Sequence, residues 1–429
     1  MTDLFLTNLS VIEQRWPDLA ANLKFTSFNQ FEASLVQGKN QTISVDGIQL
    51  SSRHDRAAEA KLLINQIPTN RKHVTVYGIG MGDVPTYLTD NEKIEKITVC
   101  TLNLSLLALL LSYTDQREWL NDNRVELLYK FPQFQLANDY LCIMPDLQLS
   151  DNTNSVIRDI LVHENTLSAI NAIHEKNRED NQVEILNNVE LNNSPDASLL
   201  RHSHLNNEAI IIGAGPTLEH HYEYLSSVSS LPLTKRAIII AVDTALIPLL
   251  ENNIKPDIVV SIDRKITTEH LPSQIPDSIA LVHFPQLDKE VIRKWPGPKY
   301  SAYSSASYDD VLHNKVEKLR LFTGGSVIHP TVDLAVFLKA TSIHLFGCDF
   351  CFANDKTHAL WKDGALGPGL ENSKHWVVNG LGQRAKTYLN LRGYLRSLEV
   401  YIMSKPNINF YQSSLLSAKI HGTTFQEYS

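Results

Sequence analysis

The chain has 429 residues, 43% of them apolar and 20% charged, with a formal charge of −8; it is globular in composition and too long for one ordinary domain. The negative balance leaves no basic stripe to displace counterions, which argues against nucleic acid as a partner, while small anions stay open because helix N-termini can bind them. The longest apolar run, Leu104 to Leu111, falls far short of the roughly 20 residues that span a bilayer, and Met1-Thr-Asp-Leu-Phe5 lacks the basic start and apolar core of a signal peptide, so a cytoplasmic protein without a membrane partner is expected.

Residues 1–150 read as one unit. Ala57 to Ile67 carries apolar residues at helical spacing. His73 to Gly82 reads as a strand running into a Gly78-x-Gly80-x-Gly82 turn, Ile97–Cys100 as the next strand, Leu104–Tyr113 as a helix and Val125–Tyr129 as a further strand. That alternation predicts a parallel α/β sheet. Residues 151–207 change character: Val156 to Ile173 has helical spacing, and Glu175 to His204 is polar with little to bury, so a helical and polar linker is expected. Residues 208–429 read as a second α/β unit with strands at Ala209–Ile212, Ala237–Val242, Ile258–Ile262, Ile279–His283 and Ser342–Phe346. Helices are expected from Pro216, from Thr244, from Val327 to Ala340, and over Tyr388–Ile402. The fold class is therefore α/β, with two Rossmann-like parallel-sheet domains joined by the linker.

The second unit carries the polar strand ends. Gly213-Ala214-Gly215-Pro216-Thr217 follows a strand and should open a helix. Glycines let backbone N–H groups approach a phosphate, Pro216 suits the first helical turn, and Thr217 adds a hydroxyl. No Gly-Lys-Ser/Thr follows, so this is not a Walker loop. Asp243 ends the second strand, where a carboxylate either meets a ribose or base or caps the next helix. Asp263 ends the third. Thr323-Gly324-Gly325-Ser326 is a second small-residue loop before a helix, and the two loops are expected to clamp one nucleotide. Asp349 follows the strand that ends at Gly347. Thr357 and His358 lie in a polar loop just beyond, and His358 is a candidate general base. His375 follows the Gly364–Gly369 stretch, which reads either as a flap or as a surface loop. Cys348 and Cys351 form a lone C-x-x-C with no second ligand pair, so buried or incidental thiols are expected. No D-x-D stands at a strand end in this unit, which favours a site without a metal.

In series, Gly213-Ala-Gly-Pro-Thr217, Ala241-Val-Asp-Thr-Ala-Leu246, Ile254 to Asp263, Gly324-Gly-Ser-Val327, Gly347-Cys-Asp349 and Lys356-Thr-His-Ala359 resemble the central domain of the Maf proteins (motility accessory factors), bacterial flagellin glycosyltransferases. Ser52 to Ala60 and Tyr77 to Gly82 are similar to that family's first domain. The resemblance implies transfer of a nonulosonic acid, of the pseudaminic or legionaminic type, from a CMP-activated donor to Ser or Thr of flagellin, with no separate cofactor. The central domain also resembles a family of bacterial sialyltransferases. Carried onto this chain, residues 213–217 would meet the phosphate or ribose, Asp243 would lie near the nucleotide, and Thr323, Gly324, Gly325 and Ser326 would close the other side. Where those sialyltransferases place a tyrosine pair on the phosphate, this chain has Cys351 and Thr357. His358 is the first choice for the catalytic base and His375 the second. The first unit's glycine turn looks like a methyltransferase cofactor loop, but its next strand ends in Thr101-Leu-Asn103 with no acidic residue. A structural or acceptor-recognition role is expected there. A pterin diphosphokinase using ATP and magnesium on Asp243, Asp263 and Asp349 is the alternative enzyme, and a non-catalytic flagellin-binding factor the alternative without chemistry.

Overall fold

Runs of β-branched residues alternating with helical stretches build a parallel sheet in each of two units, Met1–Thr166 and Leu167–Ser429. The computed structural model describes residues 2–165, 193–203, 207–360 and 373–428. The Gly364–Gly369 stretch and most of the expected linker lie outside the described residues.

In the first unit, helices Asp3–Arg15 and Pro17–Phe25 precede an antiparallel sheet of β1 (Ala33–Gln37), β2 (Gln41–Val45) and β3 (Ile48–Gln49). The helix Arg56–Ile64 starts where the Asp55 carboxylate accepts the Ala58 N–H at 2.9 Å, a cap that satisfies an otherwise orphaned donor. Then come β4 (His73–Tyr77), the helix Asp83–Thr89, β5 (Lys96–Cys100), the helix Leu104–Tyr113, β6 (Val125–Leu128) and β7 (Tyr140–Cys142). All four strands are parallel in the order β6-β5-β4-β7. The unit runs past the expected boundary at 150, because a helix over 155–165 buries Ile157 and Leu161 against Leu102 and Leu147.

The second unit also starts earlier than 208: Asp196 bridges to Ser301, and Ala197 and Leu200 join the core. Its eight-stranded sheet contains β8 (Glu208–Ile212), β9 (Ile238–Val242), β10 (Ile258–Ser261), β11 (Ala280–His283) and β12 (Lys299–Ser301). A short pair, β13 (Tyr303–Ser304) and β14 (Arg320–Leu321), follows outside that sheet, which β15 (Ser342–Phe346) then rejoins. The antiparallel hairpin of β16 (His375–Val378) and β17 (Arg384–Thr387) precedes the helix Leu389–Met403, and β18 (Asn409–Gln412) and β19 (Thr423–Phe425) complete the sheet. The order is β12-β11-β10-β9-β8-β15-β18-β19, parallel throughout. Every residue of β9, β10 and β11 is buried, the signature of strands covered on both faces. The helices expected at Pro216 and Thr244 begin as 3-10 turns, Pro216–His221 and Asp243–Ala245. The helix Ile328–Phe337 stops short of Ala340, where Lys339 takes a left-handed φ of 70°. No helix among the described residues is long and apolar enough to cross a membrane.

Candidate functional site

Strand order reverses between β8 and β15: the chain builds β9 to β12 on one side of β8, then crosses to lay β15 on the other. Ligands of open parallel sheets bind in the crevice beyond the carboxyl ends of the strands at such a reversal. Here those ends are Ile212, leading into Gly213–Thr217, and Phe346, leading into Gly347–Asp349.

The glycine turn is used differently from the expectation. Gly213 N–H donates to Phe346 O and Gly215 N–H to Gly347 O, each at 2.8 Å. Thr217 donates its N–H to Asp349 Oδ2 at 2.8 Å and its hydroxyl to Asp349 Oδ1. These amides therefore meet protein acceptors and not a phosphate. The glycines are needed because two loops pack backbone to backbone. A Cβ on Gly213 would stand 2.5 Å from Gly347 O, and one on Gly215 would stand 2.5 Å from Asp349 Cγ. Asp349 is a carboxylate built into the turn, and burial pushes its carboxyl up to about 6 against the hydrogen bonds from Thr217. Among the described residues, no acceptor meets the N–H of Ala214, Gly324 or Gly325.

The helix fed by the second small-residue loop starts against the glycine turn. Ile328, at the start of that helix, lies close enough to Gly213 that a Cβ there would sit 2.9 Å from Ile328 Cδ1. Gly325 has φ 96°, and a Cβ would strike the Tyr394 ring at 2.3 Å; a Cβ on Gly324 would stand 2.8 Å from both His329 Nε2 and Ser397 Cβ. The Thr323 hydroxyl bonds Ser304 Oγ and, at 3.1 Å, the Tyr308 hydroxyl. Ser326 N–H donates to His329 Nδ1 at 3.1 Å.

The polar loop beyond Asp349 is fastened onto the glycine turn. Ala359 N–H donates to Ala214 O at 2.9 Å. Glu219, two residues past Thr217, holds Lys356 Nζ at 2.6 Å and the Leu360 N–H at 2.8 Å. Thr357 and His358 are thereby set beside Ala214. Thr357 is only 8% exposed, and neither its hydroxyl nor His358 Nδ1 has a partner. Unpartnered buried polar atoms are uncommon and call for an explanation; a ligand supplies one. Burial lowers the His358 pKa below the ordinary histidine value, so the imidazole is neutral near pH 7 and able to accept a proton.

His375 lies on β16, with Nδ1 3.3 Å from Arg392 Nη1. Its hairpin is tied to the same segment by Phe352 N–H to Lys386 O at 2.9 Å and Thr387 Oγ1 to Phe350 O at 2.6 Å. Asp243 is buried at the end of β9; its oxygens accept from the Thr244 N–H at 2.7 Å and the Ser261 hydroxyl at 2.5 Å. Burial pushes its carboxyl up to about 6, with nearby Asp263 adding to the rise. Asp263 itself is exposed and accepts the Lys265 N–H at 2.9 Å. Cys348 and Cys351 are buried and unpaired, and burial raises both thiol pKa values, so both stay protonated. Glu219, the clasp, carried no sequence signal, whereas Asp349 was expected to face a ligand and instead fills a turn that lies 132 positions away.

The chain is similar in part to several known proteins. A family model described as 6-hydroxymethylpterin diphosphokinase MptE-like matches residues 183–355, less than half of the chain. The chain is similar to a Maf glycosyltransferase. That structure, from Magnetospirillum magneticum AMB-1, has 15% identity and a TM-score of 0.41, covering 99% of this chain and 74% of its own. A spermidine synthase from Thermotoga maritima aligns with 15% identity and a TM-score of 0.22 over 26% of this chain and 46% of its own. A spermidine synthase bound to the transition-state analogue AdoDATO aligns with 16% identity and a TM-score of 0.20 over 25% of this chain and 45% of its own. No curated protein matches the sequence significantly.

Proposed function

We propose that the second unit is a glycosyltransferase domain that binds a CMP-activated nonulosonic acid in the β8/β15 crevice and transfers the sugar to a Ser or Thr hydroxyl of flagellin. The observation that carries the site is the pair of unpartnered buried polar atoms, Thr357 Oγ1 and His358 Nδ1, beside Ala214 at the strand reversal. The sugar and the acceptor rest on the ordered motif series that resembles the Maf proteins.

In this reading the N–H groups of Ala214, Gly324 and Gly325 and the Thr357 hydroxyl take the phosphate and ribose oxygens. They stabilise the charge that grows on CMP as it leaves. The acceptor hydroxyl attacks the anomeric carbon, the bond from that carbon to the CMP phosphate oxygen breaks, and neutral His358 takes the hydroxyl proton. His375 is the second candidate for that proton. This reading uses no divalent ion, and two of the three candidate carboxylates, Asp243 and Asp349, already hold their oxygens on protein donors. That occupancy also disfavours a magnesium-dependent diphosphokinase. The test is intact-mass analysis of purified flagellin incubated with this protein and a CMP-activated nonulosonic acid in EDTA. One or more added sugar masses are expected. His358→Ala should slow the addition by about 10²–10⁴-fold, the range for losing a general base. Flagellin of unchanged mass, or addition only with magnesium, would overturn the reading.

A further inference from the structure

The first unit holds a cavity of about 280 Å³ beyond the carboxyl ends of β4 and β7. This too is a reversal point, since β5 and β6 lie on one side of β4 and β7 on the other. The glycine turn at Gly80 forms one wall and Ile143 another; Leu62 and Met144 line it while standing 69% and 45% exposed. Apolar surface left open in this way is the usual lining of a small-molecule pocket.

The charges around it restrict what can enter. The Ile79 and Gly80 amides of the glycine turn donate to buried Asp146 at 2.7 and 2.9 Å, so neither is offered to a phosphate. A nucleoside finds no partner after β5, where Asn103 caps a helix through Oδ1 at 3.0 Å and donates Nδ2 to Leu149 O at 2.6 Å. The cavity's one guanidinium, Arg56, is held by both oxygens of Asp83 at 2.9 and 2.7 Å. A second carboxylate, exposed Glu59, also lines the cavity and accepts the Ser52 N–H through Oε2 at 2.7 Å. The lining is thus greasy with a net negative charge at its edge.

We propose that this cavity binds a small organic amine whose body is apolar. The test is calorimetry on the full chain with tryptamine and indole-3-acetate, which share a ring system and carry opposite charges. Tryptamine should bind at millimolar or lower concentration, and indole-3-acetate about tenfold or more weakly, the discrimination expected of one partly exposed charge. Ala60→Phe, which fills the cavity from the helix Arg56–Ile64, should abolish tryptamine binding. Glu59→Gln keeps the acceptor for Ser52 on an exposed side chain and removes only the charge. It should weaken tryptamine about tenfold and bring the two compounds together. No tryptamine binding at millimolar concentration, equal affinity for the two compounds, or full affinity in Glu59→Gln would overturn the proposal.

Discussion

The two units place a glycine turn at the same topological position and fill it with the same chemical group, yet leave different surroundings. In the first, Asp146 accepts from two backbone amides, those of Ile79 and Gly80. In the second, Asp349 accepts from one amide and one hydroxyl, both of Thr217. Each carboxyl is fully buried and pushed up to about 6. A Gly-rich turn after a first strand is commonly a phosphate cradle; here both turns make room for an internal carboxylate from the loop across the reversal. What separates the units lies next to the turn. The second keeps unpartnered polar atoms on Thr357 and His358, whereas the first keeps an apolar cavity with acidic groups at its edge.

The strongest way to break the parallel is steric. Gly78 has φ 97°, and a Cβ there would stand 2.6 Å from Asp146 Cβ, whereas Gly215 has φ −67° and meets only the crowding from Asp349 and Gly347. Gly78→Ala should therefore cost about 2–6 kcal/mol, adding left-handed strain to overpacking. Gly215→Ala should cost about 1–3 kcal/mol from overpacking alone. Denaturant unfolding followed in each variant measures the pair.

A shared pH dependence is expected, because Asp146 and Asp349 are both raised to about 6. Asp349 has a folded pKa near 6 against 3.8 for the free group, so the folded state binds the extra proton. Its favourable contribution is full below the unfolded value and is lost as pH rises through about 6. Asp349 should contribute about 3 kcal/mol to the fall in the second unit's stability across that window, with buried Asp243, also raised to about 6, adding its own share, and Asp349→Asn should make the slope shallower. Thermal unfolding at pH steps between these values reads it directly.

The amide variants sharpen the comparison at smaller cost. Asp349→Asn can keep the Thr217 N–H on its oxygen while its own NH₂ donates to a turned Thr217 hydroxyl, so a loss under about 1 kcal/mol is expected. Asp146→Asn sets an NH₂ against a backbone N–H and leaves one buried donor unmatched, for about 1–3 kcal/mol. Equal losses in the two variants would show that the turns are held alike.

Most strands of the two parallel sheets were legible because runs of β-branched residues leave few alternatives, as at Ile238–Val242, whereas Tyr140–Cys142, Lys299–Ser301, Asn409–Gln412 and Thr423–Phe425 were missed, being short or mixed with polar residues. The two small-residue loops were legible from their glycines. What the residues could not reveal was pairing. Gly215 and Asp349 each looked like a ligand-facing group, and only their contact across the sheet shows that they face each other. The antiparallel sheet near the N-terminus was missed because Ala33–Gln37 is almost wholly exposed and carries no alternating apolar face. The hairpin bearing His375 was missed similarly, since Arg384–Thr387 reads as a polar loop. The Thr357 hydroxyl drew attention in the sequence only through family resemblance; its burial without a partner is a property of the fold.

That hydroxyl gives the sharpest test. Replacing an unpartnered buried hydroxyl by a methyl group should leave folding stability intact, so Thr357→Val isolates ligand binding. Titration calorimetry with CMP in EDTA should show binding by the native chain and an affinity about tenfold or more weaker in Thr357→Val. CMP bound equally by both proteins, or by neither until magnesium is added, would contradict the assignment of the crevice.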